Sequence, residues 1–363
     1  MADAPKQQPR NPRASAVTLS TELLLAHAQA GGLKGVVVLI TGGASGLGKN
    51  TALRFAQFGA KVAIVDRSEH GLAAAAKEAR AVGGDVFTIR ADVTSWDDQL
   101  AAFKAAEAHF GSISVVVANA GITDAEMYYD DASADTTVPK RPNLTTIDVN
   151  VKGVLYTVRL GLHYLRKGDL SRTRTIITVR TRIMLALDCV VSDALTRFGQ
   201  MCFVVQLGSI SSFMPVPKQV YYSVSKAGVL GLHRAISLDA LTNGDAFTGG
   251  GLRCILIAPF FVRTPLINEL VSAGKLDHVR SFAQADDVSA AILHAAASPK
   301  HPVFKAEGRE KAQVRHGAAY CIIDTEGSLV IPHESLSNSL LRVHPEFGKK
   351  LASTMAQQPA SKI

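Results

Sequence analysis

Apolar and polar positions follow two rhythms along this chain. Val36–Ile40 (VVVLI) is a short, continuous, β-branched run that reads as a buried strand within Gly35–Thr41. Lys49–Phe58 follows with apolar residues at helical spacing and stops at Gly59. The same alternation predicts strand Lys61–Asp66, helix Ser68–Val82, strand Asp85–Asp92, helix Trp96–Phe110 and strand Ser114–Asn119. Asn143–Lys167 reads as one long helix. Further on come strand Phe203–Leu207, helix Gln219–Thr242, strand Arg253–Ala258, helix Ala285–Ala297 and strand Ala319–Asp324. Neighbouring parallel strands need crossovers, and helices supply them. Right-handed crossovers then wind the chain both ways from its first strand. The predicted class is therefore α/β: one doubly wound parallel sheet of about seven strands, with helices on both faces.

Three stretches lie outside that rhythm. Residues 1–33 read as an N-terminal arm, disordered over 1–19, with a short helix at Thr21–Ala30. Residues 333–363 form a polar C-terminal tail, which leaves 34–332 as the folded domain. Residues 171–203 hold five arginines, two of the four cysteines and no lysine, between a helix and the strand that should follow it closely. A connection of about 30 residues at that place is unusual. Three readings stay open for it: an added flap, a lineage-specific surface insertion, or a translated intron. Within it Thr175–Val179 (TIITV) also looks like a strand and competes with Phe203–Leu207 for one place.

Composition narrows the partners. The chain has 363 residues, 47% of them hydrophobic and 19% charged, which excludes a largely disordered protein. A net charge of +8 is spread without a block of like charges, so it predicts a solvated basic surface and no nucleic-acid partner. Cys189, Cys202, Cys254 and Cys321 form no CxxC and no metal-ligand spacing, so no metal is expected, and a reducing compartment such as the cytoplasm is. No apolar run approaches the roughly 20 residues that span a bilayer.

The chemistry begins at Thr41-Gly42-Gly43-Ala44-Ser45-Gly46-Leu47-Gly48, which joins the first strand to the first helix. Glycines let backbone approach a pyrophosphate, and the helix N-terminus offers it free N–H groups. Gly42, Ser45, Gly46, Leu47 and Gly48 are therefore candidate cofactor contacts in a Rossmann-type sheet. Asp66 ends the second strand, 18 residues after Gly48. Its carboxylate can accept from both adenosine-ribose hydroxyls and would repel a 2′-phosphate, which favours NAD. Arg67 beside it could hold that phosphate, so NADP stays open as the second choice.

The spacing Gly-x-x-x-Gly-x-Gly resembles the short-chain dehydrogenase/reductase family, as do Asp92-Val93, Asn119-Ala120-Gly121 and Tyr222-Ser223-Val224-Ser225-Lys226. The resemblance implies adenine contact at Asp92 and Val93, and a cofactor contact at Asn119. It implies a catalytic set of Asn150, Ser209, Tyr222 and Lys226, with Tyr222 and Lys226 also touching the cofactor. The family places the serine thirteen residues before the tyrosine. That spacing makes Phe203–Leu207 the fifth strand and TIITV a decoy. Pro259-Phe260-Phe261-Val262-Arg263-Thr264 is similar to the family's Pro-Gly-x-x-x-Thr, with Val262 and Thr264 as cofactor contacts and Phe260 in place of glycine.

The implied chemistry follows from charge. A free phenol has a pKa of about 10 and is a poor base at neutral pH. An ammonium about 4 Å away contributes about 4 kcal/mol at an effective dielectric of about 20, which is about 3 pKa units. Lys226 would supply it, Ser209 would hold the substrate oxygen, and Asn150 would hold a relay water. Phe213, Met214, Phe260, Phe261, Leu266, Ile267 and Leu270 divide between an apolar pocket and ordinary core.

The manner of Gly208-Ser209 and Tyr320–Pro332 is similar to fungal secondary-metabolism members and to hydroxyprostaglandin-dehydrogenase-like ones. The expectation is an NAD(P)-dependent enzyme that interconverts a secondary alcohol and a ketone on an apolar small molecule. A catalytically silent dinucleotide sensor is the alternative. Family members often assemble as homo-oligomers through their fourth and fifth major helices. Ser361-Lys362-Ile363 resembles a peroxisomal address, but ends in Ile rather than Leu.

Overall fold

The computed structural model describes residues 17–124, 138, 140–167, 174–179, 202–207, 219–242, 252–259, 262–264, 282–296, 319–324 and 327–331. Among them a ten-stranded sheet runs β1 (Val17–Leu19), β10 (Gly327–Ile331), β9 (Ala319–Asp324), β8 (Leu252–Pro259), β7 (Cys202–Leu207), β6 (Arg174–Val179), β5 (Val115–Ala118), β2 (Val37–Thr41), β3 (Lys61–Asp66) and β4 (Asp85–Arg90). The strands from β4 across to β9 are parallel, whereas β10 and β1 add antiparallel.

Burial on both faces explains the near-continuous apolar strands. Successive side chains of a strand point to opposite faces. Val38 and Ile40 of β2, Val62 and Ile64 of β3, and Val115 and Val117 of β5 enter one core. There they meet α1 (Thr21–His27), α2 (Gly46–Gln57), α3 (Glu69–Ala81) and α8 (Ala285–Ala296). Val37, Leu39, Ala63, Val65, Val116 and Ala118 enter the other, with α4 (Trp96–Phe110), α6 (Val154–Lys167) and α7 (Val220–Thr242). Among the described residues Phe55 of α2 and Phe103 of α4 are the largest fully buried side chains, one on each face. Each contributes about 3 kcal/mol.

Four features differ from the sequence expectation. Val17–Leu19, in the stretch predicted as a disordered arm, forms β1 because the edge of β10 offers it unpaired backbone groups. Gly327–Ile331 folds back on β9 as β10. Arg174–Val179 is no decoy: Thr175–Thr178 pair with Val115–Ala118 of β5, the first free sheet edge that the chain meets after α6. The predicted strand at 203–207 is also in the sheet, on β8. The count therefore rises from about seven to ten. The long helix expected at Asn143–Lys167 is broken into α5 (Thr145–Ile147), a π turn over Asp148–Gly153, and α6.

Helices α2 and α8 are joined by polar contacts as well as by the core. Arg54 donates from Nε to Oδ1 of Asp286 at 3.0 Å and from a terminal nitrogen to Oδ2. Asn50 also donates to Oδ1 at 3.0 Å. The Arg54 guanidinium, followed by Asn50, holds the Asp286 carboxyl below its ordinary range. A folded-state pKa below the unfolded one adds stability above the unfolded value, and that stability is lost as pH falls through the folded value. Arg54→Ala should therefore lower the melting temperature at pH 7. The gap from wild type should close as the pH falls below about 4, by calorimetry across a pH series.

Candidate active site

The turn from β2 to α2 is built so closely that side chains are excluded at two of its glycines. Gly42 has φ 66°, and a Cβ there would stand 2.7 Å from Cα of Ala120. A Cβ on Gly48 would stand 2.1 Å from the Gly42 carbonyl oxygen. Gly46 is different: nothing lies within 4 Å of its would-be Cβ. Ser45 precedes α2 without a side-chain hydrogen bond to the helix, whereas Ser68 and Ser95 accept from the first turns of α3 and α4. The turn thus leaves open space in front of amides with no side-chain cap. That fits a pyrophosphate. Ser45 is exposed there, while Leu47 turns its side chain against the α2 face of the core.

Asn119 fixes this turn from the end of β5. Its Nδ2 donates to the carbonyls of Thr41 and Gly42, both at 3.0 Å, and its backbone N–H donates to Oγ1 of Thr41 at 3.2 Å. The sequence suggested a cofactor contact; the hydrogen bonds show a strut beneath the turn.

Asp66 stands at the tip of β3. Oδ2 accepts from the Ala44 N–H at 3.1 Å and Oδ1 from the Ser68 N–H at 3.0 Å. Each oxygen keeps a lone pair for a ribose hydroxyl. An open cleft beside it is lined by Arg67, Ser68, Arg90, Ala91, Asp92 and Asp98. Asp92 accepts from both the N–H and the hydroxyl of Thr94, and its own N–H donates to Asp98 at 3.0 Å. That N–H, then the Ser95 hydroxyl, holds the Asp98 carboxyl below its ordinary range. Val93 is buried against Gly153, whose would-be Cβ lies 2.9 Å from a Val93 methyl. Asp92 thus stands half-buried in the cleft wall, and the Val93 side chain packs inward beside it.

The second half of the site forms where the π turn meets α7. Asn150 lies in that turn and is buried. Its Oδ1 accepts from the Ile122 N–H at 2.8 Å, and its Nδ2 donates to the Ile122 carbonyl at 2.8 Å and to Oγ of Ser225 at 3.0 Å. Both amide protons are thereby used, and one Oδ1 lone pair remains. Ser225 in turn donates to the Tyr222 carbonyl at 2.7 Å. A π turn widens the backbone by one residue and is frequent at functional sites. Here it sets Asn150 against both the β5 loop and α7.

Tyr222 and Lys226 share one face of α7, as residues four apart do. Nζ of Lys226 stands 5.2 Å from the Tyr222 ring centroid, and the lysine is buried. Gly121 bridges the two halves: a Cβ there would lie 3.3 Å from Oδ1 of Asn150 and 3.7 Å from Nζ of Lys226. Asn150, Tyr222 and Lys226 are thus brought together. Val262 is buried in a single bridge to Ala283, and Thr264 is half-buried after it. Ser209 and the apolar residues from Phe213 to Leu270 assigned above lie outside the described residues.

Ser225 was missed in the sequence, where it looks like filler between Tyr222 and Lys226. Its signal is the three-residue spacing that lets a serine hydroxyl bond back along its own helix. Gln99 was missed too. Buried in α4, it donates to the carbonyls of Val93 and Gly153 and accepts from Thr157, tying the π turn to the loop after β4 and to α6. A lone glutamine in an amphipathic helix carries no such signal.

Among the described residues no group of three or more His, Cys, Asp and Glu could hold a metal ion, and no helix is long and apolar enough to cross a membrane. A family model described as short chain dehydrogenase matches residues 36–182, breaking off a few residues beyond β6. The 5′-hydroxyaverantin dehydrogenase of Dothistroma septosporum is 31% identical over 282 residues, 73% of this chain and 81% of that protein. The short-chain dehydrogenase/reductase prx4 of Penicillium rubens is 30% identical, over 62% of this chain and 55% of its own length. Among solved structures, a 3-ketoacyl-(acyl-carrier-protein) reductase of Brucella melitensis complexed with NADH superposes with a TM-score of 0.58 at 24% identity. That match covers 80% of this chain and 98% of that one, and is a likeness of fold.

Proposed function

From the premise that this chain belongs to the short-chain dehydrogenase family, we propose that it interconverts a secondary alcohol and a ketone on an apolar small molecule, with NAD preferred. The observation that carries the reading is the convergence of Asn150, Tyr222 and Lys226 around Gly121, beside the open glycine turn. The nicotinamide, when bound, supplies the hydride acceptor or donor. Gly42, Ser45, Gly46, Leu47 and Gly48 would hold its phosphates and Asp66 the adenosine ribose, with Asp92, Val93, Asn119, Val262 and Thr264 around it.

Each residue of the chain then has a separate task. The ionised Tyr222 oxygen takes the proton from the carbinol hydroxyl as the hydride leaves, and in the reverse direction the neutral phenol gives its proton to the ketone oxygen. The Lys226 ammonium favours the ionised phenol by proximity. Ser209 holds the substrate oxygen. Asn150 locks the π turn, and its remaining Oδ1 lone pair offers one place for the water that passes the proton outward. The likeness to the 5′-hydroxyaverantin dehydrogenase of Dothistroma septosporum supports an alcohol as the substrate, and we take it to be a secondary metabolite, a polyketide or a terpenoid alcohol.

Turnover of NAD and NADP with a panel of apolar secondary alcohols tests the assignment; binding of the cofactor with no turnover of any of them would leave a sensor instead. Cofactor choice has its own test. Asp66→Asn keeps an oxygen for the Ser68 N–H and removes the charge that repels a 2′-phosphate. The ratio of kcat/KM for NADP over NAD should rise about tenfold. An unchanged ratio would move the preference to Arg67 and Arg90.

A further inference from the structure

One edge of β8 is claimed twice. Ile176, Ile177, Thr178 and Val179 of β6 stand opposite Cys254, Ile255, Leu256 and Ile257. Val204, Val205, Gln206 and Leu207 of β7 stand opposite the same four residues, also parallel. The other edge of β8 belongs to β9. Each residue has a single backbone N–H, so one edge cannot satisfy two parallel strands in the same register. The two segments pair with each other only at Arg174–Thr175 and Cys202–Phe203; beyond that, opposite Cys254–Ile257, they are alternatives for one slot.

Each alternative is half of a strand. β6 is reached from α6 by a connection of ordinary length, residues 168–173, and it pairs with β5 on its other side. Nothing that follows it leads directly to Ser209. β7 runs into Gly208 and Ser209, but has no register with β5 and is reached only after residues 168–201. Val179 and Leu207 both face Ile257, so the segments are 28 residues out of step (207 minus 179). A switch from one to the other in this register always omits 28 residues, a whole number of codons. Among the switches from 176–203 to 180–207, only 179–206 opens on a valine and closes on a glutamine. All valine codons begin with GT, and one glutamine codon is CAG; GT and AG are the boundaries of spliced introns.

We infer that the slot between β5 and β8 has one working occupant, a strand in which Thr178 is followed by Leu207, and that residues 179–206 are an intron read through into this chain. The joined strand would pair with β5 and β8 in the registers observed and deliver Ser209 two residues past its end. The family match that ends at residue 182 agrees with a break at this point. The inference rests on backbone registers and does not depend on the substrate proposed above.

Two measurements decide it. Amide hydrogen exchange on the full chain should protect either 175–178 or 203–206, not both; joint protection to the same level would overturn the shared slot. The chain with Thr178 joined to Leu207 should melt about 5 °C or more above the full chain. Transcripts sequenced across these codons should include that junction. A lower melting temperature, a shorter chain that does not fold, or messages that all retain codons 179–206 would overturn the intron.

Discussion

Tyr222→Phe should abolish most alcohol oxidation, lowering kcat by about 10² to 10⁴, the usual contribution of a positioned acid–base group. The substitution removes only the hydroxyl and keeps the ring over which Lys226 stands. Cofactor affinity, read from the fluorescence of bound NADH, should stay within about twofold, because nothing in the glycine turn or at Asp66 changes. Lys226→Met should behave differently: it removes both the neighbouring charge and a proposed cofactor contact, so kcat should fall and the Kd for NADH should rise. A Tyr222→Phe enzyme as fast as wild type would remove this phenol from the chemistry.

Gly48→Ala should be almost as severe by another route. The new Cβ would sit 2.1 Å from the Gly42 oxygen and 2.3 Å from Nδ2 of Asn119. Neither neighbour can retreat, since one is backbone of the turn and the other holds that backbone. Such overpacking costs about 3 kcal/mol, so the Kd for NADH should rise about a hundredfold with a lower melting temperature. Gly231→Ala on α7 is the control. Nothing lies within 4 Å of its would-be Cβ, and alanine in a helix should leave the protein as stable or slightly more so.

The sequence was most legible where chemistry depends on neighbours along the chain. The glycine turn, Asp66 at its strand end, and Tyr222 with Lys226 one helical turn on are local patterns, and each sits on the element expected. Where a role depends on partners far along the chain, the residues alone pointed less well. The resemblance makes Asn119 a cofactor contact, but nothing in the sequence reveals that Thr41 and Gly42 lie beneath its amide. Asn150 looked like a polar residue inside one long helix. The π turn that re-aims it is stabilised by Ile122, by Ser225 and by Gln99 from α4, contacts that no helical period encodes. At the fifth strand, the spacing to Tyr222 selected Phe203–Leu207. Spacing is blind to pairing, and pairing with β5 belongs to Arg174–Val179.

The short antiparallel contact of Val17–Leu19 with Ser328–Val330 has a bearing on how copies of this chain meet. With β1 in place, the main-chain edge on that flank is the outer side of a three-residue strand rather than of the five residues of β10. A chain shortened to begin at Lys34 would lose this guard, and β10 would become an adhesive border inviting strand-to-strand aggregation.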